Sequence, residues 1–193
     1  MVHLYHKTKV YVLKQNTLRI DNLLEMCKSG DRRAQMEIYD RYHRAMYNTA
    51  YRIVRNREMA EDVMQEGFIK AFEKLHTLKD PEMFGAWLKR IVINGSLTAC
   101  RTSGSQLTVV TDKELPEASE SDAAFEDAEG MPDQLKKMMH AMKNLHANYN
   151  LILTLHYLEG YSQEEVAVLM DMTHGNCRTM LSRAKESLRK CLQ

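Results

Sequence analysis

YSQEEVAVLMDMTHGNCRTMLSRAK, from Tyr161 to Lys185, reads as a helix, a stop and a second helix. Ser162 followed by Glu165 matches the Ser-x-x-Glu capping box, in which each side chain satisfies the other residue's backbone N–H, so a helix starts at Gln163. Val166, Leu169 and Met170 recur at helical spacing and give it a buried stripe. The stretch from Asp171 to Gly175 breaks the pattern. Thr173 can cap the second helix, with Asn176 where Glu or Gln would serve better. Cys177, Leu181, Ala184 and Leu188 then fall on one face. Asn176, Arg178, Thr179, Ser182, Arg183 and Lys185 are left outside. Two short helices, a tight turn and a basic outer face make the helix-turn-helix pattern. Spacing alone fits an ordinary helical hairpin with a solvated charged face equally well, because the signature is short and tolerant.

The rest of the chain is equally helical in character. Its 193 residues suit one or two small domains, and 44% hydrophobic with 27% charged residues suits a folded one. Gly and Pro are scarce, and apolar residues recur at helical rather than alternating spacing, so the expectation is an all-α protein. No apolar run approaches the roughly 18 residues of a membrane span. The opening MVHLYHKTKVYVLKQN lacks an apolar segment followed by a small-residue cleavage site, so a cytoplasmic location is expected.

The formal net charge of +1 hides a segregation. From Asp112 to Asp133 acidic residues dominate, with Lys113 the only base, so the remainder is basic. That balance argues against holding nucleic acid by bulk electrostatics alone, but a short basic helix can still reach it. Cys27, Cys100, Cys177 and Cys191 are far apart, without a C-x-x-C pair, and the histidines lack ligand spacing. Cys177, on the inferred core face, reads as a small buried hydrophobe. No phosphate-cradling glycine loop or nucleophile elbow is present, so no cofactor, metal or catalytic residue is expected.

Along the chain, Asp21 can cap a helix from Asn22 to Ser29, closed by Gly30. A longer helix begins at Asp31 or Arg32, with Ile38, Tyr39, Tyr42, Met46, Tyr47, Ala50, Tyr51 and Val54 inward. A third spans about Met59 to Lys74. There Phe68, Ile69, Ala71, Phe72 and Leu75 are expected inside, and Glu61, Asp62, Gln65 and Glu66 outside. The loop HTLKDPEM leads to a fourth helix, opened by Phe84 and ended by Arg101, with Trp87, Leu88, Ile91 and Val92 apolar and Lys89 and Arg90 basic. Residues 102–131 are acidic, Ser-rich and aperiodic, and read as a flexible linker. Helices at about Asp133 to Asn144 and Tyr149 to Leu158 precede the helix-turn-helix. The expected organisation is an extension (1–17), a helical domain (18–101), the acidic linker (102–131) and a helix-turn-helix domain (132–193).

Two segments together carry a resemblance. AEDVMQEGFIKAFEKL followed by FGAWLKRIVIN resembles the polymerase-binding domain of bacterial sigma factors, and LEGYSQEEVAVLMDMTHGNCRTMLSRAKESLRKCL resembles their promoter-reading domain. Two domains with a short linker look like the extracytoplasmic-function group. The resemblance runs from about Leu18 to Leu192.

It implies that Asp62, Gln65 and Glu66 dock on the clamp helices of the largest subunit of core RNA polymerase. The fourth helix and its preceding loop would open the upstream promoter element. Trp87, Arg90 and Asn94 match the family pattern there, with Trp87 expected to support the helix from inside and Arg90 able to serve either core or DNA. Lys79 in the loop would neutralise a phosphate beside a pocket for an unstacked base. Asn176, Arg178, Thr179, Ser182 and Arg183 would face the distal promoter element, and the family pattern places the turn glycine at Gly175. Group members are usually held by an anti-sigma factor, so such a partner is implied, and a sigma factor catalyses nothing itself.

The chain departs from the family in three places, one of them Asn176, which stands where Thr is usual. TACRTSGS lacks the further basic residues common near Arg101, and Leu145-His146 lacks the usual proline. A one-component or response-type regulator would share the helix-turn-helix without needing AEDVMQEGFIKAF and WLKRIVIN, and a helical enzyme would need a motif that is not there.

Overall fold

The computed structural model describes residues 19–102 and 132–192, so the expected N-terminal extension and all of the expected acidic linker except Thr102, which ends a helix, lie outside the described residues. Among the described residues every regular element is helical. The first domain comprises α1 (Ile20–Lys28), α2 (Arg32–Val54), α3 (Arg57–Glu73) and α4 (Phe84–Thr102). The second comprises α5 (Asp133–Lys143), α6 (Ala147–Leu153), α7 (Gln163–Leu169) and α8 (His174–Cys191).

Caps set most of these boundaries. Asp31 Oδ1 accepts the N–H groups of Arg33 and Ala34, at 2.7 and 3.3 Å, and starts α2. Asn56 Oδ1 accepts Met59 N–H at 2.8 Å, so α3 begins two residues before the expected Met59. Asp21, by contrast, does not cap α1. The helix already starts at Ile20 after Arg19, and Asp21 sits in its first turn, where a carboxylate favours the positive end of the helix dipole. Gly30 does close α1, with φ of +85°.

α2, α3 and α4 pack on one another around Ile38, Met46, Ala50, Phe68, Leu88 and Val92. Tyr39, Tyr42, Tyr47 and Tyr51 are partly buried and line the edge of this core rather than its centre. α3 crosses α4 at Gly67, where a Cβ would fall 2.7 Å from Val92 Cγ2. Ile69 departs from its expected inward position. It is 58% exposed, because the inward face of α3 runs through Val63, Met64, Phe68 and Ala71.

In the second domain Asn150 is buried and spans two helices: Nδ2 donates to Met142 O at 2.7 Å, and Oδ1 accepts from Thr154 Oγ1 at 3.3 Å. His146, where a proline was expected, caps α6 instead. Its Nδ1 accepts Asn148 N–H at 3.3 Å. α6 then widens into a single π turn, Thr154–Leu158, closed by Glu159 N–H on Thr154 O at 2.9 Å. Gly160, at φ of +81°, turns the chain back toward Ser162.

The two domains are packed together. α4 carries a second apolar stripe, Ile93, Leu97 and Cys100, which shares a core with Ile53 of α2 and with Leu145, Ile152, Leu155 and Val166 of the second domain. Polar contacts surround that core. Glu159, its side chain 0% exposed, meets Arg52 Nη1 at 3.0 Å through Oε1 and Lys89 Nζ at 2.6 Å through Oε2. Arg101 donates to Leu169 O at 2.8 Å, and Arg55 donates to Lys143 O. Arg55, the left-handed residue that ends α2, is desolvated here, which pulls its guanidinium below its ordinary value.

Two predictions follow from this packing. Gly67→Ala gains about 1 kcal/mol of helix propensity but must displace a fully buried, stiff valine, which costs about 1–3 kcal/mol. The variant is expected to unfold at lower urea, and the double variant Gly67→Ala/Val92→Ala to lose less than the sum of the two single changes; additive effects would show that the helices do not touch there. The second concerns His146, whose pKa burial lowers from 6.5. Its contribution to stability is therefore fully present above pH 6.5 and is lost as pH falls through the depressed folded value. His146→Asn, which keeps an N-cap acceptor, is expected to lose that part of the pH dependence in urea melts.

Candidate functional site

The residues singled out in the sequence form three surfaces. The first is on α3. Asp62, Gln65 and Glu66 are all exposed, one turn apart on one side of the helix. Their local partners are loose: Gln65 Nε2 donates to Glu61 Oε1 at 3.3 Å, and Glu66 pairs with Lys70 at 2.8 Å. Exposed pairs of this kind are worth well under about 1 kcal/mol, so the carboxylates can exchange partners. The exposed Ile69 continues the same side of the helix. This places an apolar side chain beside the acidic patch, a combination suited to a basic, partly apolar protein surface.

The second surface is the loop after α3 together with α4. Two single turns, Leu75–Thr77 and Pro81–Met83, fold the loop on itself, and Asp80 accepts Glu82 N–H at 3.0 Å. Buried Leu75 and Phe84 fix its two ends. Lys79 is exposed between them. On α4, Arg90 and Asn94 are exposed four residues apart, so they share a face. Trp87 is half-buried against Phe84, with ring centroids 6.0 Å apart, in the supporting position expected of it. Lys89 turns the other way, toward Glu159.

The third surface is the helix-turn-helix. Both sides of the capping box form: Glu165 N–H donates to Ser162 Oγ at 3.2 Å, and Ser162 N–H to Glu165 Oε2 at 2.9 Å. Thr173 Oγ1 accepts Asn176 N–H at 3.2 Å and starts α8. The turn differs from the expected one. Its left-handed residue is Asp171, at φ of +54°, while Gly175 lies inside the first turn of α8. An aspartate tolerates this conformation better than most side chains, so the turn does not need a glycine. Cys177, Leu181 and Ala184 are buried, which leaves Asn176, Arg178, Thr179, Ser182 and Arg183 all exposed. Thr179 Oγ1 donates to Gly175 O at 3.0 Å. His174 and Glu164 lie 3.3 Å apart and tie α8 to α7.

Among the described residues no three His, Cys, Asp or Glu side chains are placed to hold a metal ion, and no helix is long and apolar enough to cross a membrane. Sequence reasoning missed Ile53, Ile93, Leu97 and Glu159. For Ile93 and Leu97 the sequence signal was a second apolar stripe on α4, four residues apart, beside the first; Ile53 and Glu159 had none.

Comparison with known proteins gives these surfaces a context. Residues 38–106 match the family model of sigma-70 region 2, and residues 135–188 match that of sigma-70 region 4. The chain is 31% identical over 179 residues to the RNA polymerase sigma-H factor of Pseudomonas aeruginosa, covering 89% of this chain and 92% of that protein. It is 26% identical to the ECF RNA polymerase sigma factor SigW of Bacillus subtilis, covering 91% and 98%. The fold is also similar to that of the sigma factor RpoE of Bartonella quintana, solved in complex with the anti-sigma factor NepR. That match has a TM-score of 0.50 and 20% identity, covering 81% of this chain and 95% of the other.

Proposed function

The chain belongs to the extracytoplasmic-function sigma factors and directs promoter-specific transcription initiation, and from that premise we propose how its three surfaces divide the work. Asp62, Gln65 and Glu66 dock on the clamp helices of the polymerase's largest subunit, with Ile69 adding apolar contact. Lys79, Arg90 and Asn94 engage the upstream promoter element and the base unstacked from it. Asn176, Arg178, Thr179, Ser182 and Arg183 read the distal element from the major groove. The protein is not an enzyme: binding energy alone opens the DNA, and the chemistry belongs to the polymerase. It works in the cytoplasm, where its polymerase is, and an anti-sigma factor is its expected antagonist.

The observation that carries this reading is the exposure of every side chain in the three sets while their helices are fixed by buried neighbours. A helix fixed from behind has no backbone left to order on contact, so the cost is that of the side-chain rotamers alone, about 0.5–1.5 kcal/mol each. Unstacking a base costs a few kcal/mol, which one charged contact at Lys79 and one amide at Asn94 can offset.

Charge reversal at Asp62 and Glu66 is expected to abolish capture by core polymerase and leave the circular dichroism spectrum unchanged, since both are exposed. Undiminished capture would exclude the docking role. Arg178→Ala or Arg183→Ala is expected to cost about 1–3 kcal/mol on the cognate promoter if the side chain grips a base, with preference relaxed at one position. In run-off transcription from promoters randomised in the distal element, an equal loss on all sequences would place the arginine on phosphate instead.

A further inference from the structure

His174 opens the recognition helix. It is the first residue of α8, directly after the Thr173 cap, and its side chain is half exposed. Arg178 and Ser182 follow at steps of four, so the three share one side of the helix, beside the buried row of Cys177, Leu181 and Ala184. In helix-turn-helix proteins the first residues of the second helix reach base edges, while the first helix crosses the backbone. His174 therefore stands at the end of the reading face that meets the bases.

Its ring is not free to take either hydrogen-bonding role. Nε2 lies 3.3 Å from Oε1 of Glu164 on α7. The backbone N–H of Glu164 and the Ser162 hydroxyl, with a smaller pull from His174, hold that carboxyl below its ordinary value, so it is ionised and can only accept. A ring that faces such a group keeps its proton on Nε2, and in the neutral imidazole this leaves Nδ1 bare, as an acceptor. Glu165 cannot stand in for Glu164, because its carboxylate is held by Ser162 N–H. The pair adds little to stability, since exposed ion pairs rarely do, and α7 already packs on α8 through Val166, Ala167, Cys177 and Leu181. What the pair fixes is the hydrogen-bonding role of the imidazole.

That role differs from those of the arginines on the same helix. Arg178 and Arg183 carry only donors, which suit guanine O6 and N7. An acceptor in the major groove meets only the exocyclic amines, adenine N6 and cytosine N4. We propose that His174 is a further specificity-determining residue, which accepts from the amine of an adenine or a cytosine in the distal promoter element, and that Glu164 is the positioning residue that keeps Nδ1 bare for it. The inference rests on the reading role proposed for α8 and deepens it. Donors on the arginines and an acceptor on His174 let one helix tell amine-bearing bases from the rest at one position and guanine from the rest at others.

The test uses the full chain assembled with core RNA polymerase and a promoter library randomised across the distal element, with the transcripts sequenced. The wild type is expected to favour adenine or cytosine at one position, and His174→Ala to lose that preference by about three- to tenfold, the worth of one hydrogen bond. Glu164→Ala is expected to weaken the same preference, and to change nothing further in a chain that already carries His174→Ala. His174→Gln brings an acceptor that needs no tautomer, so it is expected to favour adenine with or without Glu164. The helix caps belong to Thr173 and to Ser162 with Glu165, so these variants are expected to keep the wild-type circular dichroism spectrum. An unchanged preference in His174→Ala overturns the contact, and an equal loss on all sequences overturns it in favour of phosphate. A preference for guanine that depends on His174 overturns the acceptor role, because the ring must then be donating. Additive losses from Glu164→Ala and His174→Ala overturn the positioning role. Arg178→Ala and Arg183→Ala in the same library separate the two levels: if they relax a preference and His174→Ala does not, this inference alone fails, whereas if none of the three does, the reading role of α8 fails with it.

Discussion

α4 has to satisfy two cores at once. Phe84, Leu88 and Val92 face the first domain, while Ile93, Leu97 and Cys100 face the second. A helix with apolar stripes on two sides keeps only a narrow remainder for water. Arg90 and Asn94 occupy that remainder, and Lys89 lies at the boundary with the second domain. Everything the first domain offers to a ligand on this side is therefore defined by how α4 is clamped. The clamp depends in turn on the absence of a side chain at Gly67, which lets α3 come close enough to Val92 to hold α4 in place.

The second domain reaches the same helix through a chain of local devices. His146 caps α6 with a neutral imidazole, Asn150 and Thr154 satisfy one another in the interior, and the π turn widens the backbone before Glu159. Each device consumes a polar group that would be costly to bury alone. Their combined result is a carboxylate placed between two cations of another domain. The apolar part of the interface gives it adhesion, and the ion contacts give it register.

The functional surfaces obey the opposite rule. Asp62, Gln65 and Glu66 are held by short-range helical pairs that cost little to break. The exposed residues of α8 likewise stand on a helix fixed from behind by Cys177, Leu181 and Ala184. Rigid backbone with loosely committed side chains suits a protein that must recognise both a polymerase and a DNA sequence. Ile69, exposed where an inward residue was expected, belongs to this surface because the core face of α3 runs through Val63, Met64, Phe68 and Ala71 instead.

The helical class, the capping box at Ser162, the cap at Thr173, the buried face of α8 and the exposed cluster on α3 were all legible in the sequence. They depend on contacts within four residues, where spacing and side-chain chemistry dictate the outcome. Other features could not be read this way. The left-handed turn residue fell on Asp171 rather than Gly175 because the packing of α7 against α8 selects the turn's geometry, and aspartate can adopt it. The start of α1 lies two residues upstream of the expected Asn22, at Ile20, so Asp21 sits in the first turn rather than at the cap. The role of Ile93, Leu97 and Glu159 depends on partners scores of residues away. Their sequence neighbours say only that they are apolar or acidic, and which cations meet a buried carboxylate is decided when two domains close around it.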